Sequence, residues 1–340
     1  MASGCGKRLR SVEVAVISQE PVAGGVYLPP AHIFPIDPSF SRATDMSLAI
    51  TRVSDKPDLL GESPVWDSEN GWLYWVDGVS CLIRRYEPQT ETFREWKSPS
   101  MVGSVGLATG NRLVTGLADG IFLLDLDSGE FTPIVQPVPA DPLVRFNDGK
   151  TDRSGRFLCG SMGVHADPRG ALYRVCENGE TDILANGIRI SNTLCFSPDG
   201  DTMYFSDSLD RMIRAYKYCA EKVPLTEPRV FVDTEVFGSG PDGATVDAEG
   251  YVWVALVQVG KIARFSPAGI VDRMINAPTD MPSCLAFGGP DLSTLFVTSI
   301  KNSGSGRAIS RHPHGGCLFA IDGLGVKGLP EQRFGAQSPH

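Results

Sequence analysis

The sequence has few histidines and lacks the signature of a serine hydrolase. None of its five histidines falls at a fixed phase of the repeat described below, which argues against a histidine-centred esterase. No Gly-x-Ser-x-Gly motif is present, so a Ser-His-Asp triad has no nucleophile elbow. His312 and His314 stand one residue apart, but the Gly- and Ser-rich stretch around them is typical of a solvated loop. The common hydrolases built on a serine or a histidine are therefore disfavoured.

Cysteine pairs with metal-binding or redox spacing are also missing. The eight cysteines occur singly, without a Cys-x-x-Cys pair. Several lie in strand-like runs, where a thiol packs as a small hydrophobic group. This usage favours a reducing cytoplasm over an oxidising compartment.

Long apolar runs and excess positive charge are absent as well. The N-terminal apolar stretch, residues 12–17, is interrupted by Glu13 and is too short for a secretory signal or a membrane span. The net charge of −9 disfavours nucleic acid and anionic membrane surfaces as partners. Neither nucleic acid nor a membrane is therefore expected as a partner.

A unit made of a Gly/Asp turn and a short strand-like run recurs six times between Glu62 and the C-terminus. The turns comprise residues 66–71, 108–110, 151–155, 197–200, 246–250 and 287–291. The runs that follow include Trp72–Val76, Met203–Phe205 and Tyr251–Val254. A period of roughly 40 to 50 residues, with short strands and turns, is typical of a propeller with one four-stranded sheet per repeat. The sequence therefore predicts an all-β fold, a six-bladed β-propeller.

A polar residue stands at one phase of most repeats. The residues at this phase are Glu62, Val102, Asn147, Asn192, Asp242 and Ser283. Each precedes its turn residue by eight positions, except Glu62, which precedes Gly71 by nine. The innermost strand of every blade lines the central channel, so equivalent positions form one ring at one channel mouth. We therefore expect the two amides and the two carboxylates of this set to face a common point.

The chemistry of this ring favours a metal. Polar side chains among apolar strand-like runs are costly to bury unless they bind something. Carboxylate and amide oxygens suit a hard or intermediate divalent cation such as Ca²⁺, Mg²⁺ or Mn²⁺. The alternative is that each residue caps a strand end through an Asx-turn. We favour that alternative for Asp148, which precedes Gly149. We do not favour it for the phased set, because an Asx-turn has no reason to recur at the same position of successive repeats.

Several segments, in order, resemble the motifs of one known family. They are residues 61–67, 145–152, 190–192 with 197–200, 241–243 with 247–255, and 323–328. These motifs resemble the senescence-marker-protein, gluconolactonase and luciferin-regenerating-enzyme family, over a span from about Leu59 to Gly328. The resemblance implies a six-bladed propeller with one divalent metal in the channel, and lactone hydrolysis as the commonest activity.

The resemblance also implies a metal site. Glu62, Asn192 and Asp242 match the metal ligands of the family. A metal held there can polarise a lactone carbonyl and lower the pKa of a bound water. Asp242, as a metal-bound carboxylate facing that water, is the candidate general base, and Glu62 is the alternative.

Three further residues are substrate-binding candidates by the same resemblance. Arg145 and Asn147 match residues that hold the ring oxygen and hydroxyls of the substrate. For Arg145, an ion pair between blades stays an alternative. His165 takes the place of an acidic substrate contact in relatives, so the sugar itself is left open.

The sequence thus predicts metal-dependent hydrolysis of a sugar lactone, such as gluconolactone, arabinonolactone or xylonolactone, to the aldonic acid. The expected cofactor is one divalent cation: Ca²⁺, Zn²⁺, Mn²⁺, Mg²⁺ or Fe²⁺. Two alternatives stay open, a calcium-binding regulatory propeller without catalysis and an organophosphate or aryl-ester hydrolase on the same scaffold. The guanidinium of Arg145 beside the ligands favours catalysis, because ion binding alone does not require one.

The repeats set the expected domain limits. Residues 1–45 lie outside the repeats and contain prolines at positions 29, 30, 35 and 38. We interpret this segment as an extended tail, disordered or non-native, because Met46 stands just before the propeller. The propeller is expected to span residues 46–330 as one domain, and residues 331–340 are expected to form a C-terminal tail.

Overall fold

Six antiparallel sheets of four strands each surround a central channel in the computed structural model. The structure describes residues 48–137, 141–219, 225 and 228–336. This architecture confirms the predicted six-bladed β-propeller. The predicted N-terminal tail, residues 1–45, lies outside the described residues.

The first strand of the described chain belongs to the last blade, and the following strands fill the blades in order from the channel outward. That first strand is β1 (Ala49–Arg52). The first blade comprises β2 (Gly61–Asp67), β3 (Trp72–Asp77), β4 (Leu82–Glu87) and β5 (Thr92–Lys97). The second comprises β6 (Val102–Leu107), β7 (Arg112–Leu117), β8 (Gly120–Asp125) and β9 (Phe131–Val135). The third comprises β10 (Val144–Thr151), β11 (Phe157–Gly163), β12 (Gly170–Val175) and β13 (Thr181–Ile188).

The remaining blades follow the same order. The fourth comprises β14 (Ser191–Phe196), β15 (Thr202–Asp207), β16 (Met212–Lys217) and β17 (Arg229–Asp233). The fifth comprises β18 (Pro241–Val246), β19 (Val252–Leu256), β20 (Lys261–Phe265) and β21 (Val271–Asn276). The sixth comprises β22 (Pro282–Gly288), β23 (Thr294–Ser299), β24 (Phe319–Asp322) and β1.

The propeller is closed by strands from both ends of the described chain. β1 pairs antiparallel with β24, in a register that runs from Ala49 opposite Asp322 to Arg52 opposite Phe319. The sixth blade is therefore complete only when the first and last strands meet. Hydrogen bonds thus hold the two ends of the propeller together.

The tryptophans at positions 66, 75 and 253, near the repeat turns, pack the blades against each other. Trp75 and Trp253 are almost fully buried, and the indole Nε1 of Trp253 donates to Asp247 at 2.9 Å. Trp66 in the first blade stacks on Phe296 in the sixth, with ring centroids 5.7 Å apart. Burial of large rings with their polar atoms paired stabilises the junctions between blades.

The last described residues close the channel at the end opposite the predicted ring. In this C-terminal segment, residues 327–336, the Lys327 carbonyl accepts from Ala248 N at 2.8 Å, and Phe334 N donates to Leu107 O at 2.8 Å. Phe334 is fully buried. The expected C-terminal tail, residues 331–340, therefore includes residues 331–336 that pack against this end, because the turns here expose backbone groups that the segment pairs with.

A turn glycine shows how closely the segment packs. Gly155 has a φ of +79°, the left-handed region that turns of this kind require. A Cβ atom at this position would lie 2.2 Å from the carbonyl oxygen of Ala336. Any other residue at position 155 would therefore displace the segment as well as strain the turn.

Helices are scarce in the part of the chain that the structure describes. The two there are three-residue 3₁₀ helices, Ser208–Asp210 and Glu235–Phe237. Within that part, no helix has the length and hydrophobicity needed to cross a membrane. The described cysteines are all free thiols, and those at positions 159, 195, 284 and 317 are buried.

Candidate active site

Every innermost strand is irregular at the phase where the sequence places its polar residues. In β2 the pairing register shifts between Glu62 and Val65, and in β14 between Asn192 and Cys195. The other shifts lie between Val102 and Ser104, Phe146 and Gly149, Pro241 and Ala244, and Pro282 and Leu285. A β-bulge bends its strand and frees residues from the ladder. Each candidate ligand therefore lies in or beside a bulge at the same end of its strand.

A chain of hydrogen bonds joins three consecutive blades at this end. Arg145 Nη1 donates to Asn147 Oδ1 at 2.7 Å, and Asn147 Nδ2 donates to Asn192 Oδ1 at 3.1 Å. Asn192 Nδ2 in turn donates to Ser208 Oγ at 2.8 Å, whose hydroxyl donates to Pro241 O at 2.7 Å. The Asn192 amide is thereby oriented, and its oxygen keeps a second lone pair.

Three carboxylates lie near this chain and influence one another. Burial raises the pKa of Glu62 well above its usual value, and the charges of Asp242 and Asp148 raise it further. Burial and the Asp148 charge likewise raise the pKa of Asp242. Asp242 is 7% exposed, whereas Glu62 is half-buried. These carboxylates share one poorly solvated space at the channel mouth.

Arg145 brings the opposite charge to the same space. Burial lowers its pKa to about 10, and the Glu62 carboxylate opposes that decrease. A group with that pKa is charged at neutral pH. The structure therefore places a guanidinium beside the carboxylates, and its contact with Asn147 is a hydrogen bond rather than an ion pair between blades.

Asp148 is a site residue whose role the sequence interpretation missed. Its Oδ2 accepts from Leu194 N, in the next blade, at 2.9 Å, a contact between blades that the Asx-turn interpretation does not include. Burial raises its pKa to about 6, against the effects of that hydrogen bond and of Lys150. Its position directly after the phased Asn147, within the same bulge, is the signal that could have identified it.

Backbone strain marks the residues that follow two of the candidate ligands. Ser63 has a φ of +51° and Thr193 a φ of +62°, which is unusual for any residue other than glycine and a genuine outlier for a β-branched one. Thr193 Oγ1 donates to Asp242 O at 2.7 Å and accepts from Ser206 Oγ at 2.8 Å. Strain of this kind persists only where surrounding contacts enforce it, and it clusters at functional sites.

The two remaining positions of the ring have a packing role. Ser283 Oγ donates to Gly61 O in the first blade and contacts Thr298 Oγ1 at 3.0 Å. Val102 is 1% exposed and belongs to the core between blades. The polar face of the ring therefore comes from the first, third, fourth and fifth blades.

His165 lies at the channel mouth but outside this network. It is exposed in the turn after β11, and its backbone oxygen accepts from Arg307 Nη2 at 2.9 Å. Its role as a substrate contact stays a prediction. The Nδ1 atom of His314 contacts Arg52 Nη1 at 2.8 Å, so this histidine has its hydrogen-bond partner outside the network.

The donor set of the ring is compatible with a hard cation. Glu62 and Asp242 offer carboxylate oxygens, and Asn192 offers an amide oxygen, which is the ligand chemistry of Ca²⁺ and Mg²⁺. No group of three or more His, Cys, Asp or Glu side chains is arranged for a metal within the described ranges, so an amide ligand is needed. A cation would also relieve the repulsion between the two carboxylates, which raises the pKa of Glu62.

Residues 60–301 match the family model described as "SMP-30/Gluconolactonase/LRE-like region". The 6-deoxy-6-sulfogluconolactonase of Pseudomonas putida is 32% identical over 290 residues, which cover 85% of this chain and 99% of that protein. The L-arabinolactonase of Azospirillum brasilense is 33% identical over 274 residues, covering 79% and 90%. A crystal structure of the calcium-binding protein regucalcin from Agrobacterium tumefaciens has a TM-score of 0.77 and 28% identity, covering 84% and 97%.

Proposed function

Because the chain belongs to the SMP-30/gluconolactonase/LRE-like family, we propose that it hydrolyses a sugar lactone to the aldonic acid. The substrate is an aldonolactone such as gluconolactone, arabinonolactone or xylonolactone. Relatives named for lactones of sulfogluconate and arabinose support this reaction class. The observation that carries the proposal is the half-buried guanidinium of Arg145 beside oxygen ligands at the channel mouth.

The proposal assigns one divalent cation to Glu62, Asn192 and Asp242. The oxygen donors favour Ca²⁺, Mg²⁺ or Mn²⁺. When bound, the cation supplies Lewis-acid polarisation of the lactone carbonyl and a lower pKa for water. The hydrogen bond from Asn192 Nδ2 to Ser208 Oγ orients the amide of this ligand.

Arg145 and Asn147 bind the substrate in this proposal. The Nη1 atom of Arg145 is used by Asn147 and by the carbonyl of Phe146, which leaves Nε and Nη2 to donate to lactone oxygens. The charge of Arg145 stabilises the negative charge that develops on those oxygens during attack. A buried guanidinium is effective here because little water screens it.

Asp242 is the general base. As water attacks the carbonyl carbon, its carboxylate takes one proton from that water. The bond between the carbonyl carbon and the ring oxygen then breaks, and the ring oxygen takes up the proton held by Asp242, which restores the carboxylate and gives the open hydroxy acid.

The test is Asp242→Asn, with Asp119→Asn as the matched control. Asp119 is an exposed acid on the same face, in hydrogen-bond contact with Ser100. A panel of lactones is assayed with a pH indicator, with and without a chelator, and bound metal is measured by mass spectrometry. We expect Asp242→Asn to lose metal and about 10²–10⁴-fold in rate. Full metal occupancy and full rate in that variant would contradict the assignment.

A second candidate function is calcium binding without catalysis. It is favoured by the similar structure that is named a calcium-binding protein. In that case the wild type binds Ca²⁺ but hydrolyses no lactone of the panel, and Asp242→Asn weakens only the binding. The same experiment therefore separates the two functions.

We also infer a reducing compartment, such as the cytoplasm, for this protein. The described cysteines are free. Cys159 lies 3.4 Å from the hydroxyl of Ser104, and burial raises its thiol pKa to about 12. A thiol in this state packs rather than reacts.

A further inference from the structure

Two loops from opposite blades meet over the channel mouth. The third blade contributes the loop after β11, residues 164–169, and the sixth contributes the loop after β23, residues 300–318. Gly163 pairs with Val144 and Ser299 with Pro282, at the starts of innermost strands. Both loops therefore lie on the face that carries the ring.

One hydrogen bond joins these loops. Arg307 Nη2, in the sixth-blade loop, donates to His165 O, in the third-blade loop, at 2.9 Å. In a ring of six blades the third and the sixth face each other. The bond therefore crosses the opening of the channel.

The sixth-blade loop is anchored at its base and extends freely at its tip. At the base, Asn302 N donates to Leu59 O at 2.9 Å, and Ser310 Oγ donates to the carboxylate of Asp280. At the tip, Gly306 has a φ of +74°, and an added Cβ would meet nothing within 4 Å. The contact with His165 therefore positions Arg307 at the mouth.

Arg307 carries a positive charge that no acid neutralises in the described ranges. Its contact there is the neutral carbonyl of His165, whereas Arg264 in the fifth blade pairs with three carboxylates. A guanidinium can offer several further donors to a planar or tetrahedral oxyanion.

We propose that Arg307 is a specificity-determining residue that binds an oxyanion group on the end of the substrate remote from the lactone carbonyl. The inference rests on the proposed function, because a lactone carbonyl held at the ring directs the far end of the sugar toward the mouth. There Arg307 binds the anion through charge-assisted hydrogen bonds.

The experiment compares gluconate with 6-phosphogluconate, which differ only in the phosphate. Dissociation constants of both acids are measured by calorimetry on the full chain. We expect the wild type to bind the phosphorylated acid roughly tenfold more tightly. In Arg307→Gln the ratio of the two dissociation constants should be close to one. Arg307→Lys should give an intermediate ratio, because lysine keeps the positive charge but lacks the paired N–H donors of the guanidinium.

The matched control is Arg311→Gln, which removes the same charge from an exposed position of the same loop. It should keep the wild-type ratio. An equal weakening of both acids in Arg307→Gln would mean that Arg307 only holds the loops together, and this would overturn the proposal. No preference for the phosphorylated acid in the wild type would overturn it too.

Turnover separates this inference from the proposed function. The same proteins are assayed with glucono-1,5-lactone and its 6-phosphate. An Arg307-dependent affinity ratio without any turnover supports the inference and contradicts the lactonase. Turnover of the lactones without an Arg307-dependent affinity ratio supports the lactonase and contradicts the inference about Arg307.

Discussion

The ion pair between Lys150 and Glu331 is expected to hold the C-terminal segment to the floor of the channel. Lys150 lies in β10 and Glu331 in the segment, and their side chains are 16% and 13% exposed. Burial lowers the pKa of Lys150, but the charge and hydrogen bond of Glu331 raise it more, and the net shift is upward. Lys150 is therefore charged at neutral pH, and its charge depends on the contact with Glu331.

The size of the effect follows from that burial. Removing one partner of a buried ion pair costs about 3–5 kcal/mol, because the other charge is left unpaired. At about 2.1 cal/mol/K per residue, a propeller of about 300 residues has an unfolding entropy of about 0.6 kcal/mol/K. Glu331→Gln and Lys150→Met should each lower the melting temperature by about 5–8 °C. The double variant should recover much of this loss, since it leaves no unpaired charge.

Thermal melts followed by circular dichroism, together with urea titrations at pH 7, give the double-mutant cycle. The control is Lys327→Met, in the same segment, whose partner Asp291 lies 3.2 Å away with side chains 60% and 55% exposed. An exposed pair of this kind contributes about 1 kcal/mol at most. Single variants at positions 150 and 331 that melt at the same temperature as the wild type would refute the reasoning.

Three further outcomes are expected. Arg145→Ala and Asn147→Ala should lower kcat/KM with metal content unchanged; loss of metal from either would make it a ligand. The pKa of Asp148 is raised to about 6 on folding, so its stabilising contribution is complete below about pH 4 and is lost as the pH rises through 6. In chelator, Asp148→Asn should therefore raise the urea midpoint at pH 7.5 more than at pH 4.5. A chain that begins at Met46 keeps β1 and should match the full chain in melting temperature and lactonase rate.

The fold could be read from the sequence because its repeat is local. The turn at residues 197–200 and the strand after it recur at a regular spacing, and Asn192 stands eight residues before Gly200 as Asp242 does before Gly250. The bulges that position these side chains could not be predicted from the sequence, because a bulge depends on how a strand pairs with its neighbour. The phase therefore predicted where the polar residues lie, and the structure supplied the reason.

The features that sequence reasoning missed all depend on distant partners. Asp148 has its hydrogen-bond partner 46 residues away, and Glu331 meets Lys150 across 181 residues. Arg307 contacts His165 across 142 residues. Turn chemistry and periodicity describe neighbours in the chain, so they assigned Asp148 to a local turn and Glu331 to a tail.

The two ends of the channel differ in how much free energy their opening requires. At the floor, moving the C-terminal segment would expose Phe334, which is fully buried, and would break the buried pair of Glu331, a cost of several kcal/mol. At the mouth, separating the two loops breaks one exposed hydrogen bond between Arg307 and His165, a net cost of about 0.5–1.5 kcal/mol. We therefore expect the proposed substrate to enter through the mouth and to pass Arg307 before it reaches the ring.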